Sequence, residues 1–464
     1  MRWSLVLLFV GVSGCGTLVD RLSPGKVELD AGGGFLRDGG DGGVAMPDGG
    51  EWWKVFGDPE LDRLVGQLDV KNTDLGIAKA RVEASHEALG VTRSGVFPRL
   101  VGEGASGMRR DSVNNLLFPI DQAEYERYQI GATASWEVDL WGRVRGMVAR
   151  DRFKAEAEDA RLVGTVLSLR ANLARQYFAF RAAEREAVIL RQAVAVRAEG
   201  LRLQESRLEL GSGTALDVAR ARGELESARA AGEAAARSRG KLLHAIAVLV
   251  GEMPGNFAGV GKDVGDWSVG VPTVPAGVPA SLLERRPDVW AAEREVEAAA
   301  KQVGVRSADF FPKVTLTGIG GVASLKAGSF LDQDSSFFDV GPEVDLPLFQ
   351  AGARVAAVAG EKARLEEAKE VYRGTFLIAV REVDDALLEV KTLGRELAAQ
   401  QRAAAATTEA VELAELRYEK GLVSYLEVVD AQRTRLQAVR VANALAGEQR
   451  AAVVGLVQAL GGSW

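Results

Sequence analysis

Cysteine is nearly absent from this 464-residue chain, which carries only Cys15. Histidine is almost as rare, with His86 and His244 alone. Disulfide scaffolds and Cys/His zinc sites are therefore excluded. A histidine-based triad would have to use one of those two residues. Helix formers flank both, and both are read as packing or surface residues. Base is not in excess either: 57 Lys+Arg stand against 64 Asp+Glu, a net charge of −7. That balance excludes the electrostatic footprint of a nucleic-acid binder. No apolar run reaches the roughly 20 residues that a membrane-spanning helix needs. Charged residues make up 26%, unlike a disordered chain, and hydrophobic residues make up 47%, enough for two or three ordinary cores. One surplus stands out against these scarcities: 53 glycines in a sequence otherwise patterned for helices.

The first fifteen residues set the compartment. Arg2 supplies a positive start, and Leu5–Val12 is an apolar run of signal-peptide length. It ends in Val12-Ser13-Gly14-Cys15, which looks like a bacterial lipobox. Small residues precede the cleaved bond, and the thiol that follows accepts diacylglycerol. Residues 1–14 are thus read as a lipoprotein signal peptide and Cys15 as the lipidation site. Gly16 follows, not the Asp that typically retains bacterial lipoproteins at the inner membrane, so sorting to the outer membrane is expected. Residues 15–50 carry Gly32-Gly33-Gly34, Gly39-Gly40, Gly42-Gly43 and Gly49-Gly50, the composition of a flexible tether.

The remainder is written twice. Gly90-Val91 with Phe97-Pro98-Arg99-Leu100 matches Gly304-Val305 with Phe311-Pro312-Lys313-Val314, an offset of 214 from Pro98 to Pro312. Arg207, Gly211, Leu216-Asp217-Val218 and Ala221 match Arg417, Gly421, Leu426-Glu427-Val428 and Ala431, an offset of 210 from Gly211 to Gly421. Two repeats are read, 51–251 and 281–464, joined by a Gly/Pro connector at 252–280. A period this long is one duplicated fold unit, not a solenoid.

Each repeat reads as helix, hairpin, long helix, turn, helix. Asp58–Arg93 is an unbroken helical pattern that stops ahead of Pro98. Over 128–140 the period changes to two. Tyr128, Ile130, Ala132, Ala134, Trp136, Val138 and Leu140 alternate with Gln129, Gly131, Thr133, Ser135, Glu137 and Asp139. One strand therefore carries two chemically distinct faces. Phe338–Leu348 repeats the pattern; 314–322 supplies another strand and 99–107 a weaker one. Pro342 predicts a local break in its ladder. Four strands with an apolar and a polar face match a membrane β-barrel wall. Four cannot close a barrel alone, and three chains would supply twelve. Residues 146–209 contain no proline and would run roughly 95 Å as a helix; 353–419 match them, and both read as coiled-coil-like. Each ends at a glycine placed as a C′ residue, Gly211 or Gly421. Thr214-x-x-Asp217 and Ser424-x-x-Glu427 then resemble capping boxes for the next helix.

With these residues in view the chain resembles the outer-membrane efflux protein family, TolC-type, in its NodT-like lipoprotein branch. The matching text is Trp53-x-x-Phe56-x-Asp58-x-x-Leu61, Asn72-x-Asp74-Leu75, Trp136-Glu137-Val138-Asp139-Leu140-Trp141-Gly142-Arg143-Val144, Leu283-Glu284-Arg285-Arg286-Pro287-Asp288-Val289, Phe310-Phe311-Pro312 and Arg417-Tyr418-x-x-Gly421. The resemblance implies a mixed, mainly α fold. A homotrimer would form a twelve-stranded outer-membrane β-barrel, four strands per chain, continuing into a long periplasmic α-helical barrel. It further implies the passive exit duct of a tripartite efflux system in a Gram-negative envelope. The partners would be a periplasmic adaptor and an inner-membrane transporter, with the RND type expected. No enzyme activity, cofactor or metal is expected; the one attached group would be the lipid on Cys15. A type I protein-secretion channel keeps the same fold, because the duct does not choose its cargo. A non-conducting envelope lipoprotein is the reading from another class.

The resemblance also assigns sites. Asp217 and Tyr418 fall on a family latch pair in which a tyrosine hydroxyl bonds a carboxylate, although Asp217 reads equally as a helix-start acid favoured by the dipole. Glu427 and Asp430, spaced i, i+3 on one helix face, fall on the family's aperture acids. The turns Gly211-Ser212-Gly213-Thr214 and Gly421-Leu422-Val423-Ser424 are the expected adaptor contacts. Several relatives carry Arg or Asp where this chain has Val423, so one latch or acid ring of the family pattern is expected to be missing.

Overall fold

The computed structural model describes residues 50–110, 124–260 and 286–462. The signal segment 1–14, Cys15, the tether to residue 49, most of the connector and Leu283-Glu284-Arg285 lie outside the described residues. The described elements run α1 (Pro59–Lys71), α2 (Thr73–Ser94), β1 (Arg99–Arg110), β2 (Glu124–Glu137), α3 (Arg143–Glu209) and α4 (Ala215–Leu249). They continue with α5 (Pro287–Ala308), β3 (Lys313–Ser324), β4 (Ser336–Asp345), α6 (Ala353–Glu419) and α7 (Tyr425–Ala459). The series from α5 repeats the series from α2. Both long helices have 67 residues and both that follow have 35. Two compact units result. Among the described residues, one comprises 81–110, 124–159 and 291–373; the other comprises 50–80, 160–260, 286–290 and 374–462. Each unit draws segments from both halves of the sequence.

The first unit holds the sheet. Its strands are antiparallel in the order β1-β2-β3-β4, so β1 and β4 are its edges. Glu137 pairs with Thr315, Trp136 with Leu316 and Ala134 with Gly318. The alternation read over 128–140 ends as a strand at Glu137, which corrects its far boundary. Val138 still donates to Val314, but the chain then bends and Asp139 becomes a cap. Its carboxylate accepts from the backbone N–H groups of Val144 and Arg145 at 3.1 and 2.9 Å and so starts α3. Pro342 does not break its ladder: β4 runs through it, opposite Leu316. An edge strand tolerates the missing N–H.

The second unit holds a large apolar core. Trp52 and Phe56, on a 3₁₀ turn, pack with Leu61, Leu64 and Leu68 of α1, Tyr177 and Phe180 of α3, Ile246 of α4 and Val453 and Val457 of α7. Asp58 ties three pieces together. One carboxylate oxygen accepts from the N–H groups of Glu60 and Leu61 at the start of α1. The other accepts the Tyr177 hydroxyl at 2.5 Å. Burial, with that carboxylate beside it, pushes the Tyr177 phenol far above its ordinary value.

The unbroken helix read over Asp58–Arg93 is two helices. Asn72 takes an extended ψ of 130° and ends α1. Its side-chain oxygen accepts from Leu75 N at 2.9 Å, and its amide donates to the Leu249 carbonyl at 2.8 Å. One side chain therefore caps α2 and anchors the break to α4. Beside it Gly251, at φ +74°, lies against the Lys71 backbone where no side chain fits.

Candidate functional site

The sheet register sorts every strand residue onto one of two faces. Leu100, Met108, Ile130, Ala132, Ala134, Trp136, Leu316, Phe338, Val340 and Val344 share one face with small residues and Pro342, and Arg110, Glu124, Glu126 and Tyr128 occupy its far end. Phe338 is 86% exposed and Met108 77% in the single chain. Apolar surface this bare and contiguous marks a face that meets lipid or protein. The other face is mixed but mainly polar: Glu103, Gln129, Thr133, Ser135, Thr317, Asp339 and Glu343 share it with Arg99, Arg109, Arg127 and Lys313, with Val101, Tyr125 and Ile319 among them. The same two-faced wall, read from alternation alone, is present across all four strands.

The helix turns are built as their sequences require. Gly211 and Gly421 stand at φ +73° and +69°, where L side chains are strained. After α3, Gly211 N–H reaches the Leu208 carbonyl and Ser212 N–H reaches Arg207. After α6, Gly421 N–H reaches Tyr418 and Leu422 N–H reaches Arg417 in the same pattern. These paired bonds satisfy the last helix carbonyls. The starts of α4 and α7 differ. Thr214 accepts from Asp217 N–H at 3.1 Å and donates its hydroxyl to the Asp217 carboxylate at 2.7 Å. Ser424 makes no side-chain capping bond, so the second expected capping box is not formed.

Asp217 and Tyr418 are not brought together within the chain. Asp217 is held by Thr214 and lies 3.8 Å from the Arg220 guanidinium. The Tyr418 hydroxyl instead accepts from the side-chain amide of Gln204 at 2.9 Å. Gln204 is 2% exposed and reaches across from α3. Arg207, one turn on, lies 4.6 Å over the Tyr418 ring. The Tyr425 ring closes the cluster 5.7 Å away, and a side-chain carbon at Gly200 would stand only 3.0 Å from its hydroxyl. Burial raises the Tyr425 phenol above its ordinary value. The tie between α3 and α6 is therefore a part-buried amide–phenol bond capped by a cation. Gln204, Arg207 and Tyr425 were missed as site residues. In the sequence Arg207 stands out only as a repeat landmark matching Arg417.

Glu427 and Asp430 do share a face of α7, both exposed, with Val428 and Val429 buried behind them. Among the described residues no ion pair engages either carboxylate, while Arg220 occupies the Asp430 position of the first repeat and neutralises Asp217. Val423 is partly buried in the second turn. Its counterpart Gly213 has no room for a side chain, which would come within 2.9 Å of the Leu208 nitrogen.

A two-faced sheet, paired 67-residue helices and tight helix turns define a channel-forming envelope protein. The family model described as outer membrane efflux protein matches residues 64–252 and 278–462, and the chain belongs to that family. It is an outer-membrane channel component for efflux in a Gram-negative envelope, with a periplasmic helical extension. The family consists of channels and not of enzymes. The chain is 32% identical over 418 residues to the outer membrane protein OprJ of Pseudomonas aeruginosa, covering 89% of this chain and 86% of that one. It is 29% identical over 421 residues to the cation efflux system protein CusC of Escherichia coli, covering 89% and 88%. Its fold is similar to the open state of the MtrE outer membrane channel of Neisseria gonorrhoeae, with a TM-score of 0.82 at 26% identity over 95% of this chain and 98% of that one.

Proposed function

We propose that three copies of this chain close one twelve-stranded barrel, with β4 of each pairing with β1 of the next. The observation that carries this reading is the sheet itself: two open edges and a bare apolar face on each chain. Pairing with two further copies satisfies both edges, and the membrane buries that face. The apolar face meets the membrane, and the polar face lines the lumen. The long helices of three chains form the periplasmic duct, built from two sequence repeats, 51–251 and 281–464, with 252–280 between them. Cys15 carries the lipid anchor, and residues 15–50 tether it.

The turns 211–214 and 421–424 receive a periplasmic adaptor, which couples the duct to an inner-membrane transporter, taken as RND-type. Glu427 and Asp430, repeated by symmetry, place six carboxylates at the aperture. Like charges gathered there attract cations. The Gln204–Tyr418 bond, with Arg207 above it, is the intrachain latch, while Asp217 is engaged by Thr214 and Arg220 within its own turn.

Planar-bilayer recording tests the reading. Purified protein should migrate as a trimer and conduct, with cations preferred over anions. A monomer that never conducts, even with Glu427 and Asp430 both replaced by Ala, would leave a non-conducting envelope lipoprotein as the answer.

A further inference from the structure

The polar face of the sheet carries two aromatic rings, Tyr125 at the far end of β2 and Phe337 on β4, and only Phe337 lies over glycine. Phe337 stands in register with Gly321, which pairs in turn with Gly131 and then with Glu103, so the four residues cross all four strands at one level. A side-chain carbon built on Gly131 would meet Phe337 Cζ at 3.5 Å. The ring on β4 therefore passes over β3 and ends above β2. Gly321 lies beneath its path, and a side chain there would collide with the Ile130 carbonyl. Gly131 thus leaves room for the end of the ring, while Gly321 is required by the close approach of the β2 backbone. Its neighbour Phe338 points to the opposite, apolar face and is 86% exposed there. Phe337 is partly exposed.

Charge completes the arrangement. Glu103 stands at the same level, and Asp339 follows two residues beyond Phe337 on the same face. Among the described residues no ion pair or side-chain hydrogen bond engages either carboxylate. A partly exposed aromatic ring with unpaired carboxylates beside it has the chemistry that attracts an organic cation.

We propose that Phe337, with Glu103 and Asp339, forms a contact site for aromatic or quaternary organic cations inside the barrel. The inference rests on the polar face lining the lumen. Threefold symmetry then sets three rings and three Glu103 carboxylates around one level of the duct. A passing cation with an apolar body is held there weakly, by ring and charge together. An apolar solute lacks the charge contact, and an anion gains nothing from the carboxylates.

The test is block of single-channel current by benzyltrimethylammonium, with benzenesulfonate as the aromatic anion. In the full-length trimer the cation should block at lower concentration than the sulfonate. Phe337→Leu should raise its half-blocking concentration about fivefold, the size of one cation–π contact. Phe337→Tyr should keep the block, and Glu103→Gln should weaken it. A ring that merely covers glycine would leave the ratio of the two half-blocking concentrations unmoved in Phe337→Leu. That result, in channels that conduct, overturns the inference alone. A wild-type trimer that does not conduct overturns the lumen reading and this inference with it.

Discussion

The two helix turns share one backbone and differ in nearly every side chain that could do work. Both end a 67-residue helix with a left-handed glycine and the same pair of backbone bonds. The first is closed on itself. Thr214 caps α4, Asp217 is neutralised by Arg220, and Gly213 folds tightly against the end of α3. The second is open: Ser424 makes no capping bond, Val423 carries a side chain, and Glu427 and Asp430 have no ion-pair partner among the described residues. Duplication preserved the geometry that reverses the chain. The chemistry then diverged, so that the first turn satisfies itself and the second keeps its charges for something else.

Exchanging the turns' residues breaks that comparison most sharply at Gly213. Gly213→Val forces a side chain into the Arg207–Leu208 backbone and should destabilise the folded chain by about 1–3 kcal/mol, as overpacking does. Val423→Gly should cost about 1 kcal/mol or less, mainly in backbone entropy. Urea unfolding of both variants measures the gap; equal losses would mean the turns are interchangeable. Next comes the tie that the second turn inherits from α6. Tyr418→Phe and Gln204→Leu should each cost on the order of 1 kcal/mol and raise baseline conductance. Combined, they should cost less than the sum of the two. An additive double mutant, or unchanged conductance, would count against the bond as a latch.

Capping gives a smaller contrast. Thr214→Ala should cost about 1 kcal/mol, the usual loss for a removed cap, and Ser424→Ala only a few tenths. Thermal melts that place Ser424→Ala level with Thr214→Ala would show that Ser424 caps in solution. The smallest expected effect on stability lies with the acids. Glu427→Gln with Asp430→Asn should shift the reversal potential in a salt gradient toward zero, with little change in melting. Asp217→Asn combined with Arg220→Gln should not shift it, because that pair carries no net charge. A larger shift from that double variant would place the selective ring at the first turn.

Much of this was legible in the sequence because its signals are local and periodic. The strict alternation from Tyr128 placed a two-faced strand, and Gly211 and Gly421 placed both turns to the residue. Strand β1 was harder, since Gly102, Gly104 and Gly107 dilute its alternation. The break at Asn72 carried a signal, a capping residue followed by Thr73-Asp74. Helical periodicity on both sides concealed it. The Gln204–Tyr418 bond was not legible at all. It depends on the axial register of two long helices, which no local pattern reports. The seat of Phe337 required strand register too, since in the sequence Phe337 and Phe338 are simply adjacent aromatics.

One feature of the sheet bears on how the chain comes to be folded. Strands β1 and β2 belong to the first repeat, and their partner β3 follows only after α3, α4 and α5. As the chain emerges into the periplasm, the first hairpin must wait with an unpaired edge and its apolar face in water. Closing so long a loop is slow, because its entropy is lost before the new contacts form. Through that interval the half-made sheet is open to pairing with other chains. The step most exposed to aggregation is thus the meeting of β2 with β3, and a chaperone that covers the β1–β2 hairpin should raise the yield of folded protein more than one acting on the helices.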